Sequence, residues 1–391
     1  MLLTAPDCFS SSHLPFASIK NSTAAVILKR FRLNSVSRTG TSRRLCRASL
    51  ITSPDSFEVG RLIGSYGFMN ITSYSGLRDI EYSSGDLGRL GVQDVGEGSV
   101  KIRLYEGRIA QGPLKGTSVM FKVYPGQRTG GIEADMMAAN ELNAHAFLQW
   151  LAFRSDGKYS AADYAKLTSE KISKNHSAGE SSWNRFEKEQ ILKRRRYFVI
   201  KLFQGAMSGL AYMHDHDRLH QSLGPSSVIL NTIVEKDAAY LVPRLRDLSF
   251  SVDISFQNLE EDAGTFSEGL WRRAAGAGAF TPMEKRAFGI ADDIYEAGLL
   301  LAYLAFVTFC EANVMDSLSL QRLLESTFRL DLQATREYCL ADDRLLEAVK
   351  FLDLGEGAGW ELLQAMLNPD FRQRPIAEAV INHRFTAGAV L

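Results

Sequence analysis

The stretch His220-Gln221-Ser222-Leu223-Gly224-Pro225-Ser226-Ser227 gathers one imidazole and several hydroxyls into a short segment. A serine hydroxyl cannot accept a proton at neutral pH, so these serines supply no general base by themselves. Upstream, Gly96-Glu97-Gly98 lacks side chains at alternate positions, which lets backbone N–H groups come close to an anion, and Lys101 follows directly. Lys122 ends the apolar run Val119-Met120-Phe121, and Glu141 lies in Ala139-Asn140-Glu141-Leu142 further on. Asp247 is a carboxylate beside a basic residue in Leu245-Arg246-Asp247-Leu248-Ser249.

These residues sit on elements whose periodicity changes along the chain. Val100 to Tyr105 and Ser118 to Tyr124 are β-favouring runs broken by Gly and Pro and predict strands. Ile132 to Leu148 reads as helix, and Val199, Leu202, Phe203, Ala206, Leu210 and Met213 recur at the spacing of one helical face. Glu180 to Arg196 is charged and predicts a solvated helix face or loop leading into that helix. The apolar run Ala297 to Phe309 is too short to span a bilayer, and Asp292, Asp293, Glu296 and Glu311 bracket it. It predicts a helix buried on all sides.

With 391 residues, the chain can form one large two-lobed domain plus a leader. Its 45 basic and 45 acidic residues are unevenly spread. The first fifty hold eight Lys/Arg and only one acid, Asp7, so the body is mildly acidic and offers no nucleic-acid surface. Four cysteines, Cys8, Cys46, Cys310 and Cys339, contain no CxxC pair, which argues against a disulfide framework or a cysteine zinc site. The Ser-, Thr- and Arg-rich start reads as an import leader, with processing near Cys46 or Arg47. A secretory signal would need a longer apolar run than Met1-Leu2-Leu3.

Taken in order, the signals resemble the protein kinase superfamily. Leu219 to Leu230 matches the frame of the family's catalytic loop through His220, Leu223, Pro225 and Val228-Ile229-Leu230. Asp293-Ile294-Tyr295-Glu296-Ala297-Gly298 is similar to the start of its buried central helix, and Asn368 to Pro375 to the segment carrying its paired arginine, Arg374. Pro282-Met283-Glu284 resembles Ala-Pro-Glu, which implies an ion pair between Glu284 and Arg374. Gly96-Glu97-Gly98 looks like the glycine-rich loop, with Lys101 where the third glycine stands in the family. The earlier Gly64-Ser65-Tyr66-Gly67-Phe68 lies further from Lys122 and is expected to be a preceding β element.

The resemblance implies an α+β, two-lobed protein-kinase-like fold with a small β-rich N-lobe and a larger helical C-lobe. Residues 1–48 are expected to be a disordered transit peptide, 49–93 an N-terminal extension, 94–385 the kinase-like domain and 386–391 a tail. Gln149 to Arg154 looks like the strand entering the interlobe hinge at Ser155 to Lys158, which leaves the N-lobe one strand short.

By the same resemblance, Lys122 paired with Glu141, or failing that Glu133, holds the phosphates of ATP, and Asp247 holds Mg²⁺. The phosphoryl-transfer groups are changed: Ser222 replaces the catalytic aspartate, Gly224 the loop lysine and Ser227 the metal-binding asparagine. Losing cooperating groups leaves little residual rate. The reading that follows is a plastid pseudokinase, in the stroma or thylakoid-associated, distantly similar to thylakoid state-transition kinases. It would act on protein partners as a scaffold or regulator, without a transmembrane segment. The alternatives are an active atypical Ser/Thr kinase using Asp215 or Asp217, and transfer of a group other than phosphate on the same fold.

Overall fold

A computed structural model describes residues 2–5, 25–29, 48–51, 53–69, 91–94, 100–112, 114–124, 127–148, 159–177, 185–260 and 268–387. The chain divides into two compact units, residues 1–69 with 94–156, and residues 70–93 with 157–391.

The first unit is built on an antiparallel sheet. Val100–Ile109 pairs with Phe57–Met69 on one side and with Ser118–Val123 on the other. Alternating burial along Ser118–Val123 puts Val119 and Phe121 into a small core with Ile109, packed by Phe57, Tyr105 and Leu114. Phe57 and Phe121 meet edge to face at 5.6 Å, a favoured aromatic geometry. Gly107 is required there, because a Cβ would collide with the Phe121 ring and the Glu58 carbonyl. Phe57–Met69, in the stretch read as an extension, is thus part of the same sheet. Gly64 and Gly67 lie within it, as expected of a preceding β element. Gly96 and Gly98 fall outside the described residues.

Within the stretch read as a leader, Leu2–Ala5 pairs with Ala48–Ile51, and Ala25–Lys29 pairs with Ser118–Val123, from Ala25 opposite Val123 to Lys29 opposite Val119. The sheet edge next to Lys122 is therefore covered by an N-terminal strand. The helix Gln127–Leu148 follows, starting earlier than the periodicity predicts. The expected hinge strand, 149–154, and hinge, 155–158, lie outside the described residues.

The second unit is mainly helical. Its centre is Pro282–Phe309, in which the apolar run from Ala297 is nearly all buried, as the sequence predicts. Arg185–Asp215 carries the buried Val199, Leu202, Phe203, Ala206, Leu210 and Met213. From Arg185 on the charged segment is helix, while 180–184 lie outside the described residues. Short strands frame the loop that follows. Arg218–Leu219 pairs with Val252–Asp253, and Val228–Leu230 pairs with Arg244–Leu245 and with Tyr159–Ser160.

Candidate functional site

The first unit contributes a lysine–carboxylate cluster. Ser118–Val123 presents Lys122, and Gln127–Leu148 presents Glu141 to it. Lys122 Nζ donates to both Glu141 oxygens, at 2.8 and 2.6 Å, with both side chains almost completely buried. The Tyr124 hydroxyl donates to Oε2 as well. His145 Nε2, one turn along the helix, lies 3.4 Å from Oε1. Burial alone would raise the Glu141 pKa, but the Lys122 charge and the His145 contact outweigh it and hold the carboxyl well below the ordinary range. Glu141 is thus the partner of Lys122. Lys101 lies in Val100–Ile109, opposite Gly67.

The second unit holds the loop. Asp293, fully buried near the start of the central helix, accepts four hydrogen bonds: from His220 N–H at 2.8 Å, Gln221 N–H at 2.9 Å, the Gln221 side-chain amide at 3.0 Å, and His214 Nε2 at 2.9 Å. The end of the preceding helix and the start of the loop are therefore gathered on one carboxylate. Glu296, one helical turn later, accepts from Leu223 N–H at 2.9 Å. Gln221 takes up a left-handed conformation, φ 58°, to point both its donors at Asp293.

His220 links this loop to the segment at Asp247. Its Nε2 donates to the Arg246 carbonyl at 3.0 Å, and burial holds its pKa below the ordinary value despite Asp293 and Asp247 nearby. In the neutral ring Nδ1 is then the acceptor, and Ser222 N–H donates to it at 3.3 Å. The Ser222 hydroxyl donates to the Asp247 carbonyl at 2.9 Å. Ser222 Oγ also lies 3.4 Å from His220 Nδ1, but the shorter bond commits its proton to the backbone carbonyl, so the buried hydroxyl is not poised as an activated nucleophile.

Ser227 is also turned inward. Its hydroxyl accepts from Gly224 N–H at 2.8 Å and donates to the Gly224 carbonyl at 2.7 Å. Asp247, buried and left-handed at φ 67°, has its Oδ2 3.0 Å from Arg246 Nε. Asp247, the position expected to hold Mg²⁺, therefore does not fit it, since it carries an arginine, and Ser227, where the family has its metal-binding asparagine, is closed on its own loop. No group of three or more His, Cys, Asp or Glu suited to a metal occurs among the described residues.

The other carboxylates weighed for catalysis have structural settings. Asp217 pairs with Arg286, and Asp215 is exposed at the end of its helix. The expected Glu284–Arg374 ion pair is corrected. Thr281-Pro282-Met283-Glu284 is a helix N-terminus, with Thr281 as N-cap and Glu284 folding back onto the Phe280 and Thr281 N–H groups, each at 3.0 Å. Those bonds hold the Glu284 carboxyl below its ordinary pKa. Arg374 instead donates to the carbonyls of Asn368 at 2.7 Å and Ala291 at 3.1 Å, and lies over the Tyr295 ring.

Several residues of these clusters had a readable signal that sequence reasoning passed over. His145 is four residues from Glu141, Arg246 adjoins Asp247, and Thr281 to Glu284 has the spacing of a capping box. The Arg273–Asp292 pair, bidentate at 2.8 and 3.1 Å and buried, had none, since it joins separate helices.

No family model and no curated protein matches the chain. Among solved structures, the crystal structure of an Stt7 homologue from Micromonas algae, soaked with ATP, is similar with a TM-score of 0.50 at 15% identity. The match covers 92% of this chain and 99% of that one. At this identity the likeness speaks to fold alone: the chain has a kinase-like fold of mixed helix and sheet.

Proposed function

We propose that the chain is a plastid pseudokinase that works as a scaffold or regulator of protein partners and binds nucleotide without efficient phosphoryl transfer. The observation that carries this reading is the internal closure of the loop. The Ser222 hydroxyl is bonded to the Asp247 carbonyl and the Ser227 hydroxyl to Gly224, so neither is presented to a substrate. Gly224 brings no cation to a moving phosphoryl group. Lys122, oriented through both oxygens of Glu141, is the group that would hold the nucleotide's phosphates.

The basic, acid-poor start of the chain supports import into a plastid, stromal or thylakoid-associated. No helix among the described residues is long and apolar enough to cross a membrane. Purified protein incubated with ATP, Mg²⁺ or Mn²⁺ and generic protein substrates is expected to incorporate no more phosphate than a Lys122→Ala control. Incorporation well above that control would reject the pseudokinase reading. A fluorescent fusion of residues 1–60 tests the address separately, and a cytosolic signal would reject the plastid.

A further inference from the structure

We infer that Arg246 is a built-in counter-ion that keeps a divalent metal off the Asp247 carboxylate, so that any nucleoside triphosphate the chain binds is taken in its metal-free form. The inference rests on the nucleotide-binding part of the proposed function and goes beyond it in naming the ligand's ionic form.

Arg246 is anchored through its backbone and its Nε. Its N–H donates to the Ser227 carbonyl at 2.9 Å, and its carbonyl accepts from His220 Nε2 at 3.0 Å. Its Nε donates to the Ser226 carbonyl at 3.0 Å and lies 3.0 Å from Asp247 Oδ2. The side chain is 17% exposed and that of Asp247 1%. Guanidinium keeps its charge at every pH a protein tolerates, so Arg246 is a fixed positive charge beside Asp247.

A divalent ion would have to displace this cation from a buried carboxylate, or sit beside it against Coulomb repulsion. It would find little in return. Mg²⁺ demands octahedral oxygen ligands and is usually held through one or two carboxylates plus phosphate oxygens. Here the second protein ligand is a serine whose hydroxyl is already donor and acceptor within its own turn. Removing the arginine would also break its bond to Ser226, within the strand-framed loop. The local chemistry at Asp247 therefore favours positive charge from Arg246 rather than from a metal.

Two measurements on the full chain test this. In thermal denaturation with ATP, the shift in melting temperature is expected to be the same in EDTA as in Mg²⁺, to within a twofold difference in apparent Kd. A shift seen only with Mg²⁺, or a Kd at least tenfold tighter with it, overturns the inference. In a Mn²⁺ titration followed by electron paramagnetic resonance without nucleotide, wild-type protein is expected to bind no Mn²⁺ at millimolar concentration, while Arg246→Ala with Ser227→Asn gains a site. Mn²⁺ bound by wild type and lost in Asp247→Asn overturns it without needing that double variant to fold. Absence of any ATP shift, with or without metal, would instead remove the nucleotide-binding reading and the metal-free form with it, leaving the Mn²⁺ result to bear on Arg246 as counter-ion alone.

Discussion

Replacing Asp293 by alanine removes the acceptor on which the loop is assembled. Of the four donors it satisfies, those on His220 and His214 belong to buried residues, while the Gln221 amide can turn toward water. A buried donor left unpaired costs about 1–3 kcal/mol, so two of them predict a loss of about 2–6 kcal/mol. For a body of this size each kcal/mol lowers the melting temperature by roughly 2–4 °C, which gives a fall of roughly 4–24 °C. Asp293→Asn should cost less, about 1–3 kcal/mol, because an amide oxygen can still serve two donors while Gln221 reorients. Denaturant unfolding of wild type and both variants, followed by far-ultraviolet circular dichroism, reads these values. An alanine variant within about 1 kcal/mol of wild type would refute the reasoning from unpaired buried donors. An asparagine variant as damaging as alanine would show that the charge, not the number of acceptors, holds the loop.

Four further outcomes follow from the same geometry. Glu141 titrates below its ordinary 4.5 in the folded chain, so the stability it contributes is present above about pH 4.5 and fades as pH falls below that; Glu141→Gln should lack this slope, and parallel melting curves across acid pH would count against the Lys122 pairing. Burial pushes the Cys310 and Cys339 thiols up to about 12, so a thiol reagent at pH 8 should leave both unlabelled until denaturant unfolds the second unit; rapid labelling of the native protein would contradict their burial. Removing residues 1–48 should uncover the edge of Ser118–Val123 and speed hydrogen exchange in that strand, whereas unchanged protection would mean that Ala25–Lys29 does not cover it. Glu284→Ala and Arg374→Gln should be additive in a double-mutant cycle, because Glu284 binds its own helix start, and a clear coupling energy would restore the ion pair.

The parts of the fold legible in the sequence are those set by local pattern. The strands around Lys122, the helix face from Val199 to Met213 and the buried run after Ala297 each carry their own periodicity, and each is found where that periodicity puts it. The loop frame was legible for another reason. His220, Leu223 and Pro225 stand at fixed spacing, and Asp293, far along the chain, is bound to the same turn. What escaped depends on which of several partners a side chain chooses. Glu284 had a distant arginine and two adjacent N–H groups as candidate partners, and it bonds the adjacent groups because a helix start leaves donors that must be satisfied. Arg246 was visible beside Asp247 throughout, but sequence alone does not tell whether neighbouring charges face each other or diverge.

That choice of partner bears on how the loop's altered residues fit together. Ser222, Ser227 and Arg246 each make a bond that a kinase-type aspartate at 222, a kinase-type asparagine at 227 or a metal at Asp247 would disturb. An aspartate at 222 would bring a carboxylate up to the Asp247 carbonyl, where the serine now donates a hydrogen bond. An asparagine at 227 would break the paired bonds to Gly224. A metal at Asp247 would compete with Arg246. Introducing the kinase-type residues one at a time should therefore cost stability before it confers any activity. Ser222→Asp alone is expected to unfold at lower denaturant than wild type and to remain inactive, and an active, equally stable single variant would show that these bonds are incidental.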